Sequence, residues 1–179
     1  MTIWFTSDTH FGHGNVIQYT QRPFETVEEM DARLTENWNQ SVKPNEIIYH
    51  LGDFTLLGAE PASEYFQRLN GRIHIIPGGH DHRWLGRQEY FSRSGHVVTI
   101  LPPLKTIKVT LSGLDQPQLI VLCHYAMRVW DRSHYGSWHL FGHSHGNLPP
   151  LESSLDVGVD VWDLAPILLE AIGSALMKT

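Results

Sequence analysis

The sequence predicts an α/β protein, and three observations carry that prediction. Short β-favouring apolar runs recur along the chain, at 3–7, 47–51, 72–76 and 119–123. Amphipathic helical segments separate the first of them. Several runs also stop abruptly at a Gly, Asp or His. In open α/β sheets ligands bind just outside the carboxyl ends of the strands, so these terminal polar residues are the first candidates for function.

Ile3-Trp4-Phe5-Thr6-Ser7 is a first strand, followed at once by Asp8-Thr9-His10. In D-x-H at a strand end, a carboxylate oxygen and an imidazole nitrogen can turn toward one ion. That donor mixture suits Mn, Fe or Zn better than Ca or Mg; a chance Asp and His in a loop is the plain alternative. Phe11-Gly12-His13-Gly14-Asn15 continues as a polar, glycine-spaced loop able to line the same site. Thr26-Val27-Glu28-Glu29 is a capping box. It opens a helix whose Val27, Met30, Leu34 and Trp38 share one face. Lys43-Pro44-Asn45 then leads into the second strand, Ile47-Ile48-Tyr49-His50-Leu51, which ends in Gly52-Asp53. Strand, helix and strand make a right-handed βαβ unit. Gly52 removes a side chain where the chain must turn sharply or let something large come close.

Pro61 suits the start of a helix over 62–69, with Tyr65, Phe66 and Leu69 as its buried side and Asn70-Gly71 as its stop. The strand over 72–76 ends in Pro77-Gly78-Gly79-His80-Asp81, and 84–91 reads as a short helix. Three β-rich runs follow at 97–101, 105–111 and 119–123, with Ser112-Gly113-Leu114-Asp115-Gln116-Pro117 placed to join an antiparallel pair. The run 119–123 is uninterrupted and apolar, which marks a central strand, and it ends in His124. A basic and aromatic loop through Arg128, Trp130, Arg132 and His134 comes next. His139-Leu140-Phe141 then runs into Gly142-His143-Ser144-His145-Gly146. A last short strand over 156–160 and a closing helix over 166–176 complete the chain.

A length of 179 residues suits one domain over 1–179 with one substantial core. No apolar run is long enough to cross a membrane. The start of the chain lacks a signal-peptide pattern, and the lone Cys123 excludes an internal disulfide; together they lead us to expect a cytoplasmic protein. A net charge of −6 argues against an extended nucleic-acid surface, so an anionic substrate would need local help from cations or a few arginines. The chain holds 12 histidines, and many of them stand beside glycines or acids at strand ends.

Five strand ends thus carry polar groups: Asp8 and His10; Asp53; His80; His124; and His143 with His145. In this order the chain resembles the calcineurin-like metallophosphoesterases, whose blocks read D-x-H, G-D, G-N-H-D, H and G-H-x-H. The likeness spans nearly the whole chain. It is greatest to small bacterial and phage members with an extended first motif, here Ser7-Asp8-Thr9-His10-Phe11-Gly12-His13. The resemblance implies a four-layer α/β/β/α sandwich of two mixed sheets flanked by helices, and a two-metal site at the strand ends. By the same resemblance Asp8, His10, Asp53 and His145 hold one divalent ion, while Asp53, His124 and His143 hold a second, so that Asp53 bridges. The ions would be Mn first, with Fe, Zn, Ni or Mg as alternatives. His80 is implied as the catalytic acid or transition-state stabiliser beside a metal-activated hydroxide. The implied substrate is a phosphate ester, diester or monoester, nucleotides included.

One position departs from the pattern. Gly79 stands where the family has Asn, a ligand of the second metal, which leaves that site three protein ligands unless Asn15 substitutes. A single-metal hydrolase and a non-catalytic interaction domain with a degenerate site are the rival readings. Outside the motifs, His50, His74 and His96 read as packed or surface residues. Arg22, Arg83, Arg128 and Arg132 are candidates to hold substrate phosphate, and Trp130 and Tyr135 to stack on a base, although packing is the plainer role for both aromatics.

Overall fold

A computed structural model describes residues 2–111, 114–149 and 151–177. Its first strand, β1 (Ile3–Thr6), is followed by a short helix α1 (Gly14–Tyr19) and then α2 (Val27–Ser41). The capping box forms as expected: the Thr26 hydroxyl accepts from the Glu29 N–H, and the Glu29 carboxylate accepts from the Thr26 N–H. Met30, Leu34 and Trp38 are buried on the predicted face. β2 (Ile47–His50), α3 (Ala59–Phe66) and β3 (Arg72–Ile75) follow, then β4 (Thr99–Ile100), β5 (Leu104–Val109), β6 (Gln118–Cys123), β7 (Trp138–Phe141), β8 (Ser154–Asp156), β9 (Ile167–Leu168) and α4 (Leu169–Leu176).

The strands form two mixed sheets. One is ordered β4-β3-β2-β1-β9, parallel except for β9; the other is β5-β6-β7-β8, with β5 antiparallel to β6 and the rest parallel. Helices α1, α2 and α3 share a core with one face of the five-stranded sheet, built on Val16, Met30, Trp38, Ile48, Phe66 and Ile73. The other face meets the four-stranded sheet across Phe5, Leu51, Ile120, Leu122 and Leu140. Each such large apolar side chain, fully withdrawn from water, contributes about 1.5–3 kcal/mol. Leu169 and Ile172 of α4 join this inner core, and α4 packs on β1, β8 and β9. Two mixed sheets flanked by helices is the arrangement the resemblance implies. The outer face of the four-stranded sheet is covered in part by the loop after His124, where Trp130 packs on His139.

Register decides where the polar strand ends emerge. Thr6, His50 and Ile75 are aligned across β1, β2 and β3, so the segments after these strands leave the sheet at one edge. In the other sheet Leu122 aligns with Leu140, and Phe141 with Asp156. The two edges join: Ser7 bridges Gly158, the Val159 N–H donates to the Ser7 carbonyl, and the His143 N–H donates to the Asp8 carboxylate.

Several elements differ from expectation. α3 starts three residues early, with Pro61 in its first turn, where the missing N–H has no intrahelical partner to lose. No helix forms over 84–91; a 3₁₀ turn at Asp81–Arg83 is followed by irregular chain. Its residues serve instead as aromatic anchors, since Trp84 and Tyr90 pack on Phe66, and Phe66 stacks on Phe54 at 4.1 Å. The last predicted strand is displaced: β8 ends at Asp156, and Val159–Val161 is a 3₁₀ turn. The closing helix begins only at Leu169 because Ile167–Leu168 is taken as β9 alongside Trp4 and Phe5. α1 falls in a stretch read as loop. Of the loop joining β5 to β6, Ser112 and Gly113 lie outside the described residues.

Candidate metal centre

The joined edge gathers every residue that the motifs single out. Asp8, His10 and His145 bring one ligand atom each within 4.8 Å of one another, as do Asp53, His124 and His143. The two groups touch through Asp53. Its Oδ2 lies 3.3 Å from His124 Nε2 and 3.7 Å from His10 Nε2. Its Oδ1 is engaged elsewhere, accepting from the His80 N–H at 2.9 Å, so Oδ2 is the oxygen left to face both groups.

The backbone is strained where the candidate ligands sit. Asp8, His10, Asp53, His143 and His145 all have left-handed φ, between +47° and +65°. Such conformations cost about 1–3 kcal/mol each in non-glycine residues and gather at functional sites. Close backbone approach is a second requirement. Gly52 has φ +94°, and a Cβ there would lie 2.5 Å from the Gly78 nitrogen; a Cβ on Gly142 would collide with the Ser7 hydroxyl and the Asp8 carboxylate.

The donor set fits a cation. Asp8 and Asp53 are buried, and among the described residues no Lys or Arg pairs with either carboxylate. Burial pushes Asp8 up to about 7, against the lowering pull of His124 and His145. Burial also opposes ionisation of Asp53, but the neighbouring His124 overcomes it and holds that carboxyl well below the usual range. Both ring nitrogens of His10 and Nε2 of His124 are buried without a hydrogen-bond partner. Buried carboxylates without a fixed counter-charge and orphaned imidazole nitrogens are what a bound cation would satisfy.

Neighbouring groups aim these ligands. His124 Nδ1 donates to the Leu51 carbonyl at 2.7 Å, and His145 Nδ1 donates to Asp160 Oδ2 at 2.6 Å; each bond leaves Nε2 free as a donor to metal. Asp160 is held in turn by Arg22, Nε to Oδ1 at 2.7 Å and an NH2-side nitrogen to Oδ2 at 2.9 Å. The same guanidinium donates to the Asp8 and Thr9 carbonyls. Arg22 is therefore not available to substrate phosphate: it is buried and clamps the first ligand loop to Asp160. Asp81 accepts from the N–H groups of Asp53, Phe54 and Gly78, tying the second ligand loop to the third. Asp156 does likewise for the G-H-S-H-G loop, accepting from Ser144 and Gly146.

The remaining candidates sort by exposure. The His80 side chain is 45% exposed, and its Nε2 lies 3.9 Å from Asp53 Oδ2, beside the two groups and open to solvent. His13 lines the site, its ring 5.5 Å from His10 and 6.5 Å from His80. Asn15 is exposed in the first turn of α1. Arg83, Arg128 and Arg132 are exposed; Trp130 is buried and donates to the Ser137 carbonyl, which removes it as a base-stacking platform, whereas Tyr135 is exposed. His74 stacks on Tyr49, and half-buried His96 meets Asn45.

His50 is fully buried and shapes the turn before Asp53. Its Nδ1 accepts from the Gly52 N–H at 3.2 Å, which places the proton on Nε2 for donation to the Thr9 hydroxyl at 3.0 Å. Burial pushes its pKa down to about 3, from 6.5. Above pH 6.5 the imidazole is neutral in both folded and unfolded chains. As pH falls from 6.5 toward 3, only the unfolded chain takes up the proton, so stability is lost by about 1.4 kcal/mol per pH unit from this residue. Denaturant unfolding at pH 7, 5.5 and 4.5 should give His50→Gln a lower starting stability but a shallower decline than wild type. Parallel declines would show that His50 is not the titrating group.

The family model described as calcineurin-like phosphoesterase matches residues 1–147. The uncharacterized protein MJ1445 of Methanocaldococcus jannaschii is 31% identical, over 98% of this chain and 92% of its own. The gene 66 protein of Mycobacterium phage L5 is 27% identical, over 89% of this chain and 86% of its own. Among solved structures, protein AQ665 of Aquifex aeolicus, of unknown function, superposes with a TM-score of 0.70 at 22% identity; 97% of this chain and 98% of that one are covered, a likeness of fold.

Proposed function

The chain belongs to the calcineurin-like phosphoesterase family, and from that premise we propose that it hydrolyses a phosphate ester at a two-metal site bridged by Asp53. The observation that carries the reading is the position of Asp53 Oδ2, between His124 of one ligand group and His10 of the other. Asp8, His10 and His145 would hold one divalent cation with Asp53, and Asp53, His124 and His143 the other; Mn, Fe and Zn suit these mixed oxygen and nitrogen donors. When bound, such a pair of cations acidifies water and neutralises charge building on the phosphoryl oxygens.

The protein's own part is orientation and proton handling. The Leu51 carbonyl and Asp160 fix the tautomers of His124 and His145. The His80 N–H fixes Asp53 Oδ1 and leaves Oδ2 to bridge. The His80 ring stands at the rim, placed to give a proton to the leaving oxygen. The test is a hydrolysis panel on chelated protein, with bis-p-nitrophenyl phosphate and p-nitrophenyl phosphate, before and after Mn, Fe, Zn, Ni or Mg is added. Activity is expected only after metal is restored. Metal-independent turnover, or none with any metal and any ester, would overturn the reading.

A further inference from the structure

A recess beside the second ligand group has no role in the account above. Gly79 lies between two residues that touch Asp53. A Cβ on Gly78 would collide with the Asp53 carboxylate, and the His80 N–H donates to it. Gly79 itself is exposed and presents no side chain. The nearest atom to the place its Cβ would take is the Tyr125 hydroxyl, at 3.1 Å. The Tyr125 ring is fixed edge-on against both imidazoles of the second group, with centroids 4.8 Å from His124 and 4.8 Å from His143. The residue is 48% exposed, and among the described residues its hydroxyl has no hydrogen-bond partner. An O–H donor is thus held over the open space beside Gly79, next to Asp53, His124 and His143, on the side open to solvent.

We propose that Gly79 and Tyr125 form an oxyanion subsite. A phosphoryl oxygen of the substrate approaches over Gly79, where no side chain stands, and accepts a hydrogen bond from Tyr125 Oη. The inference rests on the phosphoesterase reading and deepens it, because it assigns a substrate contact to two residues outside the ligand set. It also gives the glycine a use. The backbone at Gly79 is not left-handed, so other residues are sterically allowed there, and what a side chain would cost is the recess.

Two substitutions test it from opposite sides. Tyr125→Phe keeps the ring against the imidazoles and removes the donor. Gly79→Ala keeps the donor and fills the opening. The Mn-loaded wild type and both variants are titrated calorimetrically with inorganic phosphate, after Mn binding has been measured in each. Both variants should bind Mn as the wild type does and phosphate roughly tenfold or more weakly, the usual effect of losing one hydrogen bond to a charged group. Unchanged phosphate affinity in either variant overturns the subsite. Weakened Mn binding in Tyr125→Phe also overturns it, since the hydroxyl would then be a metal ligand. Failure of the wild type to bind Mn has a different meaning: it removes the two-metal reading itself.

Discussion

Replacing Asp53 with Asn should abolish metal-dependent hydrolysis and weaken cation binding at both ligand groups together. Asn preserves the size of the side chain, and its amide oxygen can still accept from the His80 N–H as Asp53 Oδ1 does. The amide NH2 then replaces Oδ2, facing His124 Nε2 at 3.3 Å and His10 Nε2 at 3.7 Å. A donor would occupy the place of the shared acceptor, and the negative charge that would screen two neighbouring cations would be gone. Loss of a paired cation site forfeits several kcal/mol of transition-state stabilisation, so turnover should fall roughly 10³-fold or more. Calorimetric titration of Mn into chelated wild type and variant, with hydrolysis measured on the same samples, checks both halves. Two full-affinity sites and undiminished turnover in the variant would remove Asp53 as the bridge.

The candidate ligand positions are legible in the sequence because each follows an apolar run, and strands of this length end where their hydrogen-bonding partners end. The aligned termini of β1, β2 and β3 then bring Asp8, Asp53 and the His80 loop to one edge without any further instruction. What the sequence did not disclose are the groups that act through another residue. Asp160 reads as the end of an apolar strand, yet it folds into a 3₁₀ turn and orients His145. Arg22 reads as a candidate to hold substrate phosphate, and its burial against Asp160 depends on a partner 138 residues away. No local period encodes a contact of that separation. The stretch 84–91 reads as a short helix, but the chain there is organised by Asp81, which accepts from Trp84 Nε1, and by the aromatic stack under Phe54.

His80→Ala should retain both cations while slowing turnover by about 10²–10⁴-fold, the range for a positioned acid or base. The side chain belongs to neither ligand group, is 45% exposed, and has Nε2 3.9 Å from Asp53 Oδ2. Its structural contribution to the site comes from the backbone N–H on Asp53 Oδ1, which alanine keeps. The variant therefore removes the imidazole without disturbing the bridge. If the ring protonates the leaving oxygen, the loss must depend on the leaving group. It should be large for a phosphate ester of an alkyl alcohol and small for nitrophenolate, which departs without a proton. Metal content by elemental analysis, and rates for both esters, give the readout. Loss of metal along with rate would make His80 a ligand. An equal loss for both leaving groups would make the ring a stabiliser of phosphoryl charge rather than an acid. An unchanged rate would pass the proton-transfer role to His13, whose ring lies 6.5 Å from that of His80 and belongs to neither ligand group.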